Sequence, residues 1–371
     1  MLKKALTVFA AIALILFLFT ATYAESSIVE SSDVKVIIDG QLYTYAYVPV
    51  NINGRLFLPI REVAVSLGVA NDNEHIIWND AEKSATIIYG DIKVNLVINN
   101  PTVTVNGETR TFDTAPVIYK DKTYVPLRML SECFNRKVHW DEKLRAAFIT
   151  TEEQYNKVRY IAEKSSEALS AIKKGTIDTK MEIQIFGQGS SVSFTPSMST
   201  RFDRESKRLH IVMDVPIMGN LSFNRYYGDN ALYNWNMFKR NWEKTVFEDE
   251  YADIFFQNNV DVLSLANSET ICSGMVVEED AGSNKYIVKG NIYQADVFNL
   301  VNEVVYVLIT FELDEYYTTV YVDMDSFLIE KIVMDIGGGL DSQLGENYSA
   351  KITCQFNNIN GNFEITLPDG V

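Results

Sequence analysis

The chain is short of the residues from which metal centres and cross-linked scaffolds are made. Its 371 residues include three His and three Cys. No two Cys form a CxxC, and His75, His139 and His210 stand alone with no HxH pair. A zinc ribbon, a four-cysteine iron–sulfur site and a dense disulfide framework are therefore excluded. Cations are scarce too: 33 Lys and Arg face 49 Asp and Glu, a formal charge of −16. A nucleic-acid binder needs a basic footprint, so that class is excluded. The same deficit argues against an electrostatic dock on anionic lipid or anionic wall polymer. Neither GxSxG nor HExxH occurs. Carboxylate pairs are abundant in so acidic a chain and by themselves identify no hydrolase.

Long apolar runs are confined to the N-terminus. Lys3 and Lys4 precede an apolar stretch from Ala5 to Phe19, broken only by Thr7, and Thr22-Tyr23-Ala24 offers small residues at a cleavage site. Residues 1–24 read as a signal peptide cut after Ala24. The run is shorter than the ~20 residues a spanning helix prefers. No Cys follows it, so a lipid-modified N-terminus is excluded. Removal takes two Lys and no acid, which leaves 31 − 49 = −18. The expectation is a secreted, soluble protein, extracellular or associated with the cell wall. Cys133, Cys272 and Cys354 lie far apart; Cys272 and Cys354 could pair, but three small buried hydrophobes is the plainer reading.

What is present is enough for large cores: 47% hydrophobic and 12% aromatic residues. The length suggests two domains. Between residues 33 and 150 a pattern occurs twice. Copy one holds Val36-Ile37-Ile38-Asp39-Gly40, then Leu58-Pro59-Ile60-Arg61, then Ile77-Trp78-Asn79-Asp80, then Ala85-Thr86-Ile87-Ile88. Copy two holds Val103-Thr104-Val105-Asn106-Gly107, then Val125-Pro126-Leu127-Arg128, then Val138-His139-Trp140-Asp141, then Ala146-Ala147-Phe148-Ile149. Gly40 to Gly107, Pro59 to Pro126 and Arg61 to Arg128 share one offset of 67. Asp39-Gly40 and Asn106-Gly107 supply the positive φ of a tight hairpin. Pro59 and Pro126 precede short helices, and Gly68 and Asn135 fall where a left-handed cap belongs. Trp78 and Trp140 open the next strand and are expected over the helix. Arg61 and Arg128 could grip an acidic or sugar partner; satisfying loop carbonyls or pairing with Asp80 or Asp141 is the stronger reading. Glu62 reads as a solvated helix residue.

The run Thr123 to Arg128, then Glu132, then Val138-His139-Trp140-Asp141, resembles the copper amine oxidase N-terminal-like domain, common in exported proteins of Gram-positive, spore-forming bacteria. The resemblance covers roughly residues 35–150. It implies a stalk for surface association and no oxidase chemistry. Copper and a tyrosine-derived quinone need three His and an Asn-Tyr-acid motif, and Asn347-Tyr348-Ser349 lacks the acid. No metal or cofactor is expected.

Thr151-Glu152-Glu153-Gln154 is a capping box, with Thr151 as the cap and Gln154 reaching back. Tyr155, Val158, Ile161, Ala162, Ala168, Leu169 and Ile172 recur at helical spacing, and Lys173-Lys174-Gly175 should end the helix. From Thr176 onward the period is mostly two, which predicts a long antiparallel meander. Helical inserts are expected at Val246–Leu265 and Ala295–Val304. Tyr348–Phe356 and Asn362–Thr366 would close the sheet. Asp323 and Asp325 read as a solvated hairpin tip, and Gly337-Gly338-Gly339 as a flexible loop.

The helix ending Ala168-Leu169-Ser170-Ala171-Ile172-Lys173, the turn between Tyr227 and Tyr233, Asn241-Trp242-Glu243-Lys244 and the hairpin from Tyr321 to Glu330 are similar to the lipoprotein-carrier half-barrel of exported Gram-positive proteins. That resemblance implies an apolar concavity able to take an acyl chain or a partner's apolar segment. Phe223, Tyr227, Tyr233, Trp235, Phe238, Trp242, Phe255 and Phe256 are the candidate lining residues; for any one of them, core or surface packing competes with ligand contact.

The fold class expected is α+β: a small repeated αβ stalk-like domain, then a helix and a curved, mostly antiparallel β half-barrel. The boundaries are 1–24 for the signal, 33–150 for the repeat domain, 151–175 for the helix and 176–371 for the β-rich domain. The function expected is a non-catalytic, envelope-associated binding protein. Its partners would be an envelope component and a lipid or apolar peptide, with no nucleic acid and no membrane-spanning segment after signal removal. A purely structural or interaction protein with a filled interior is the alternative, and an exported hydrolase the remotest one.

Overall fold

The computed structural model describes residues 28–187, 190–216, 221–260, 265, 267–291, 312–341 and 346–369, with the backbone alone for 312–316, 338–341 and 346–348. The signal peptide and the helix expected at Ala295–Val304 lie outside the described residues. The chain divides into two compact units: residues 28–33, 45–65 and 69–130 in one, and 34–44, 66–68 and 131 onward in the other.

The first unit holds two antiparallel sheets. One orders β1 (Ile28–Glu30), β4 (Val50–Ile52), β5 (Arg55–Pro59), β12 (Lys122–Pro126) and β11 (Val117–Tyr119). Here the middle strands of the two repeat copies meet: Leu58 faces Val125, and Phe57 faces Pro126. Val50, Ile52, Phe57 and Tyr124 form its apolar cluster. Pro59 and Pro126 end their strands directly before α1 (Ile60–Ser66) and α2 (Leu127–Cys133), where a missing N–H leaves no intrahelical bond unmade. The second sheet runs β6 (Ile76–Asn79), β7 (Ser84–Tyr89), β8 (Ile92–Val97), β9 (Thr102–Val105) and β10 (Glu108–Thr111) in that spatial order.

The second unit opens with β2 (Lys35–Ile38) and β3 (Gln41–Tyr43), which join β13 (Arg136–Asp141) and β14 (Ala146–Thr151) in a four-stranded sheet. β14 runs parallel to β2, with Phe148 beside Ile37. Asp39 and Gly40 both take positive φ, 47° and 78°. Gly40 must also be small, since a Cβ there would lie 3.0 Å from the Lys289 carbonyl oxygen.

α3 (Glu152–Ser170) follows, with Thr151 Oγ1 accepting from the Gln154 N–H at 3.1 Å. The other half of the capping box is absent: Gln154 Oε1 accepts instead from the Val277 N–H at 2.8 Å. The helix stops at Ser170, and Gly175 already lies in β15 (Lys174–Gly187). Gly175 is a packing glycine: a Cβ there would press on Phe202 and Phe356, whose rings stack at 5.8 Å.

A curled antiparallel sheet then orders β21 (Asn241–Val246), β20 (Ala231–Asn236), β19 (Leu221–Gly228), β18 (Arg208–Val215), β17 (Ser197–Asp203), β15, β26 (Glu346–Asn357), β25 (Ile329–Asp341), β24 (Glu312–Asp323), β23 (Lys285–Gly290) and β22 (Val276–Asp280), with β16 (Ser190–Phe194) beside β15. α4 (Asp249–Val260) falls inside the expected Val246–Leu265 insert, and α5 (Glu269–Gly274) was not foreseen. The α+β class with a mostly antiparallel half-barrel is what the chain forms. Two strand assignments differ from the sequence reading as well. Gly337 to Gly339 are strand residues, paired between β24 and β26. Residues 362–366 form no strand.

Alternation sorts this sheet into an apolar and a polar face. Ile177, Met181, Ile183, Met198, Phe202, Leu209, Ile211 and Met213 point inward, against Val158, Ile161 and Leu169 of α3 and Phe256 and Val260 of α4. The interior is one contiguous cluster of buried residues.

Candidate functional site

Six of the eight ring residues singled out from the sequence come from β19, β20, β21 and the turn between the last two, and two from α4. They do not line one surface. Phe223, Tyr227, Phe255 and Phe256 belong to the interior cluster or pack directly on it. Tyr227 is its hub, 5.3 Å from Phe255, 6.1 Å from Phe256 and 6.3 Å from Phe247. Its hydroxyl donates to the Ala252 carbonyl of α4 at 2.9 Å. Burial, helped by the charge of Asp253, raises the Tyr227 pKa above the ordinary phenol value.

The register sends the others to the far side. Tyr227 faces Leu232, so its neighbour Tyr226 faces Tyr233 on the opposite face, and Trp235 faces Trp242. There the rings stack on one another. His210 lies flat on Tyr226 at 4.1 Å, Tyr226 meets Trp242 edge-on at 5.5 Å, and Trp242 meets Trp235 at 5.3 Å. Asn224 bonds His210 Nε2 at 3.0 Å, and burial pushes the imidazole pKa below its usual value. Phe238 joins neither group. It sits in the β20–β21 turn, 94% exposed.

A polar cleft of about 710 Å³ opens elsewhere on this unit. Across it Glu182, Lys351, Asp335 and Tyr317 stand opposite one another on β15, β26, β25 and β24. Gln41 Nε2 donates to the Tyr317 hydroxyl at 3.0 Å. Lys180 bonds Glu182 at 2.8 Å and holds its carboxyl below the ordinary carboxylate value. Such a group accepts hydrogen bonds and cations and is a poor general acid at neutral pH. Sequence reading missed this row because it depends on strand pairing between residues far apart in the chain. It also missed His210 and Tyr226, although odd–even parity along β18 and β19 carried a signal.

The repeat anchors serve the fold. Gly107 takes a φ of 88° in its hairpin. Arg61 bonds Asn71 Oδ1, the Asp72 carbonyl and Asn73 Oδ1 at 3.0–3.3 Å, clamping the loop after α1. Arg128 lies exposed on α2. Trp78 is 42% exposed, with Nε1 3.4 Å from Asp80, and Trp140 donates to Glu142 at 2.6 Å. Their polar indole ends thus turn to acidic turn residues. Glu62 is half-buried, not solvated, and burial raises its pKa against the pull of backbone N–H groups at Tyr47 and Ala46.

Asp323 fastens its hairpin. The Ser326 N–H at 2.9 Å, the Ser326 hydroxyl at 2.8 Å and Lys285 at 3.3 Å hold its pKa down at about 2. None of the three cysteines forms a disulfide, and all three are buried. Burial pushes Cys272 and Cys354 up to about 11.

Residues 37–149 match the family model of the copper amine oxidase N-terminal domain, as the repeat motifs implied. No curated protein matches the chain in sequence. Among solved structures, it is similar to the Mycobacterium tuberculosis lipoprotein LppX, at 11% identity and a TM-score of 0.33, over 57% of this chain and 99% of that one. It is also similar to LprF from Mycobacterium bovis, at 10% identity and a TM-score of 0.34, over 58% and 99% of the two chains. A LolA superfamily protein from Nitrosomonas europaea is similar at 8% identity and a TM-score of 0.21, over 57% and 95%.

Proposed function

We propose that the chain is a non-catalytic, exported protein of the cell envelope, which takes an apolar guest such as an acyl chain into the interior of its curled sheet. The repeat domain of residues 37–149 would hold it at the cell surface. The observation that carries the binding reading is the way α4 closes the interior. α3 buries Tyr155, Val158, Ile161, Ala162 and Leu169, whereas α4 buries only Ala252, Phe256 and Val260 among its apolar side chains. At about 1.5–3 kcal/mol per buried Val or Phe, with half-buried Phe255 and the Tyr227–Ala252 hydrogen bond added, α4 is held by roughly 6–8 kcal/mol. A methylene group contributes about 0.8 kcal/mol on burial, so an acyl chain must exceed roughly ten carbons to displace the helix from the same wall.

That balance sets a chain-length threshold. Fluorescent hexyl and hexadecyl carboxylic acids titrated into the detergent-free protein should give no binding for the first and saturable binding for the second. Hydrogen exchange in residues 249–260 should rise as the long probe binds. Absence of binding at every chain length would overturn the guest reading in favour of an interior filled for good by α4. Surface attachment is separate: the full chain should co-sediment with envelope fragments, and a failure to do so above a control protein removes that half.

A further inference from the structure

The turn between β20 and β21 carries a feature that an apolar guest does not use. Its residues are Met237-Phe238-Lys239-Arg240. Asn236 Oδ1 accepts from the N–H groups of Phe238 and Lys239 at 3.1 and 3.0 Å, and the Arg240 N–H donates to the Asn236 carbonyl at 2.7 Å. The turn is therefore tied to its own strands and holds Phe238 outward, 94% exposed. A phenylalanine so placed contributes nothing to the interior. One layer back stand Trp235, 37% exposed, and Trp242, in edge-on contact with it at 5.3 Å. Lys239 and Arg240 lie in the turn itself and Lys244 sits over the Tyr233 ring at 5.2 Å; the one carboxylate between residues 235 and 244 is Glu243, which Lys239 bonds at 2.8 Å.

We propose that this hairpin tip docks on an anionic phospholipid surface, with Phe238 entering the acyl boundary, Trp235 and Trp242 at the headgroup level and the cations over the phosphates. An apolar tip, cations beside it and amphipathic indoles one layer back are the groups that a lipid–water interface takes up. Charge complementarity selects the anionic surface. The chain as a whole is acidic, but fixed charges beyond a Debye length of about 8 Å at physiological salt are screened, so the cationic tip governs the approach. The inference goes beyond the guest reading and does not depend on it.

Flotation with phosphatidylglycerol–phosphatidylcholine vesicles, with pure phosphatidylcholine as the comparison, tests it. The native protein should float with the anionic vesicles, less so at high salt, and Phe238→Ser should weaken partition roughly tenfold. Lys239→Glu with Arg240→Glu should weaken it at least as much on anionic vesicles only. Phe238→Ser should leave the melting temperature and hexadecyl-probe binding unchanged, which separates docking from folding and from the interior site. No flotation, or equal flotation of Phe238→Ser, overturns the proposal. So does a concentration-dependent dimer that Phe238→Ser dissolves without any vesicle binding, since the tip would then serve a second copy.

Discussion

Tyr226 and Tyr227 are neighbours in the chain and belong to different parts of the protein. Tyr227 is 1% exposed, ringed by phenylalanines and bonded to α4. Tyr226 stands between His210 and Trp242 on the opposite face of the same strands. The inner rings are fixed by what surrounds them. The outer rings are fixed mainly by one another, and their row ends at an open turn. Equal hydrophobicity in the sequence thus conceals two tasks, and strand parity separates them.

Substitutions should grade accordingly. Phe202 is fully buried and stacked on Phe356. Phe202→Ala should cost about 3–5 kcal/mol in urea denaturation. Phe256→Ala should cost less, about 2–3 kcal/mol, because a helix held on one face can shift into the space a lost ring leaves, whereas the sheet around Phe202 cannot. Equal costs at the two positions would mean that α4 is as firmly held as the sheet, and would weaken the guest reading. Trp242→Ala on the outer face should cost about 1 kcal/mol, the scale of a cross-strand aromatic pair. Phe238→Ser should fall within about 0.5 kcal/mol of zero.

Acid provides a probe that touches neither face. The native Asp323 carboxyl titrates at about 2, below its ordinary value of 3.8. A depressed carboxyl stabilises fully above its unfolded pKa and loses that contribution as pH falls through the folded one. Allowing for solvent screening, Asp323 contributes on the order of 1 kcal/mol. Asp323→Asn should therefore lower stability at pH 7 and erase part of the native protein's decline between about pH 4 and 2. A mutant whose decline in that window matches the native one would place the depressed group elsewhere.

Local chemistry was readable wherever one residue has one physical reason. Asp39-Gly40, Asn106-Gly107, Gly68 and Asn135 all take the positive φ their sequence context demands. Thr151 caps its helix as expected. Gly175 was misread because a glycine after a helical stripe usually ends the helix, whereas here two distant phenylalanines require it. The triple glycine was misread for a similar reason: pairing on both sides holds it extended. The repeat was legible as two copies, yet not how they pair. Their middle strands share one sheet, while β2 of copy one lies beside β14 of copy two. The ring residues were legible as a set but not as two faces, because parity assigns a face only once the pairing register is known.

The three interior thiols carry one more consequence. None forms a disulfide and all are covered, and burial holds two far from the thiolate, the form that oxidants consume and that attacks disulfides. The native fold thus carries no disulfide for an enzyme to make or shuffle. Denatured and returned to native conditions in air, it should fail only if its sulfurs meet while the chain is open.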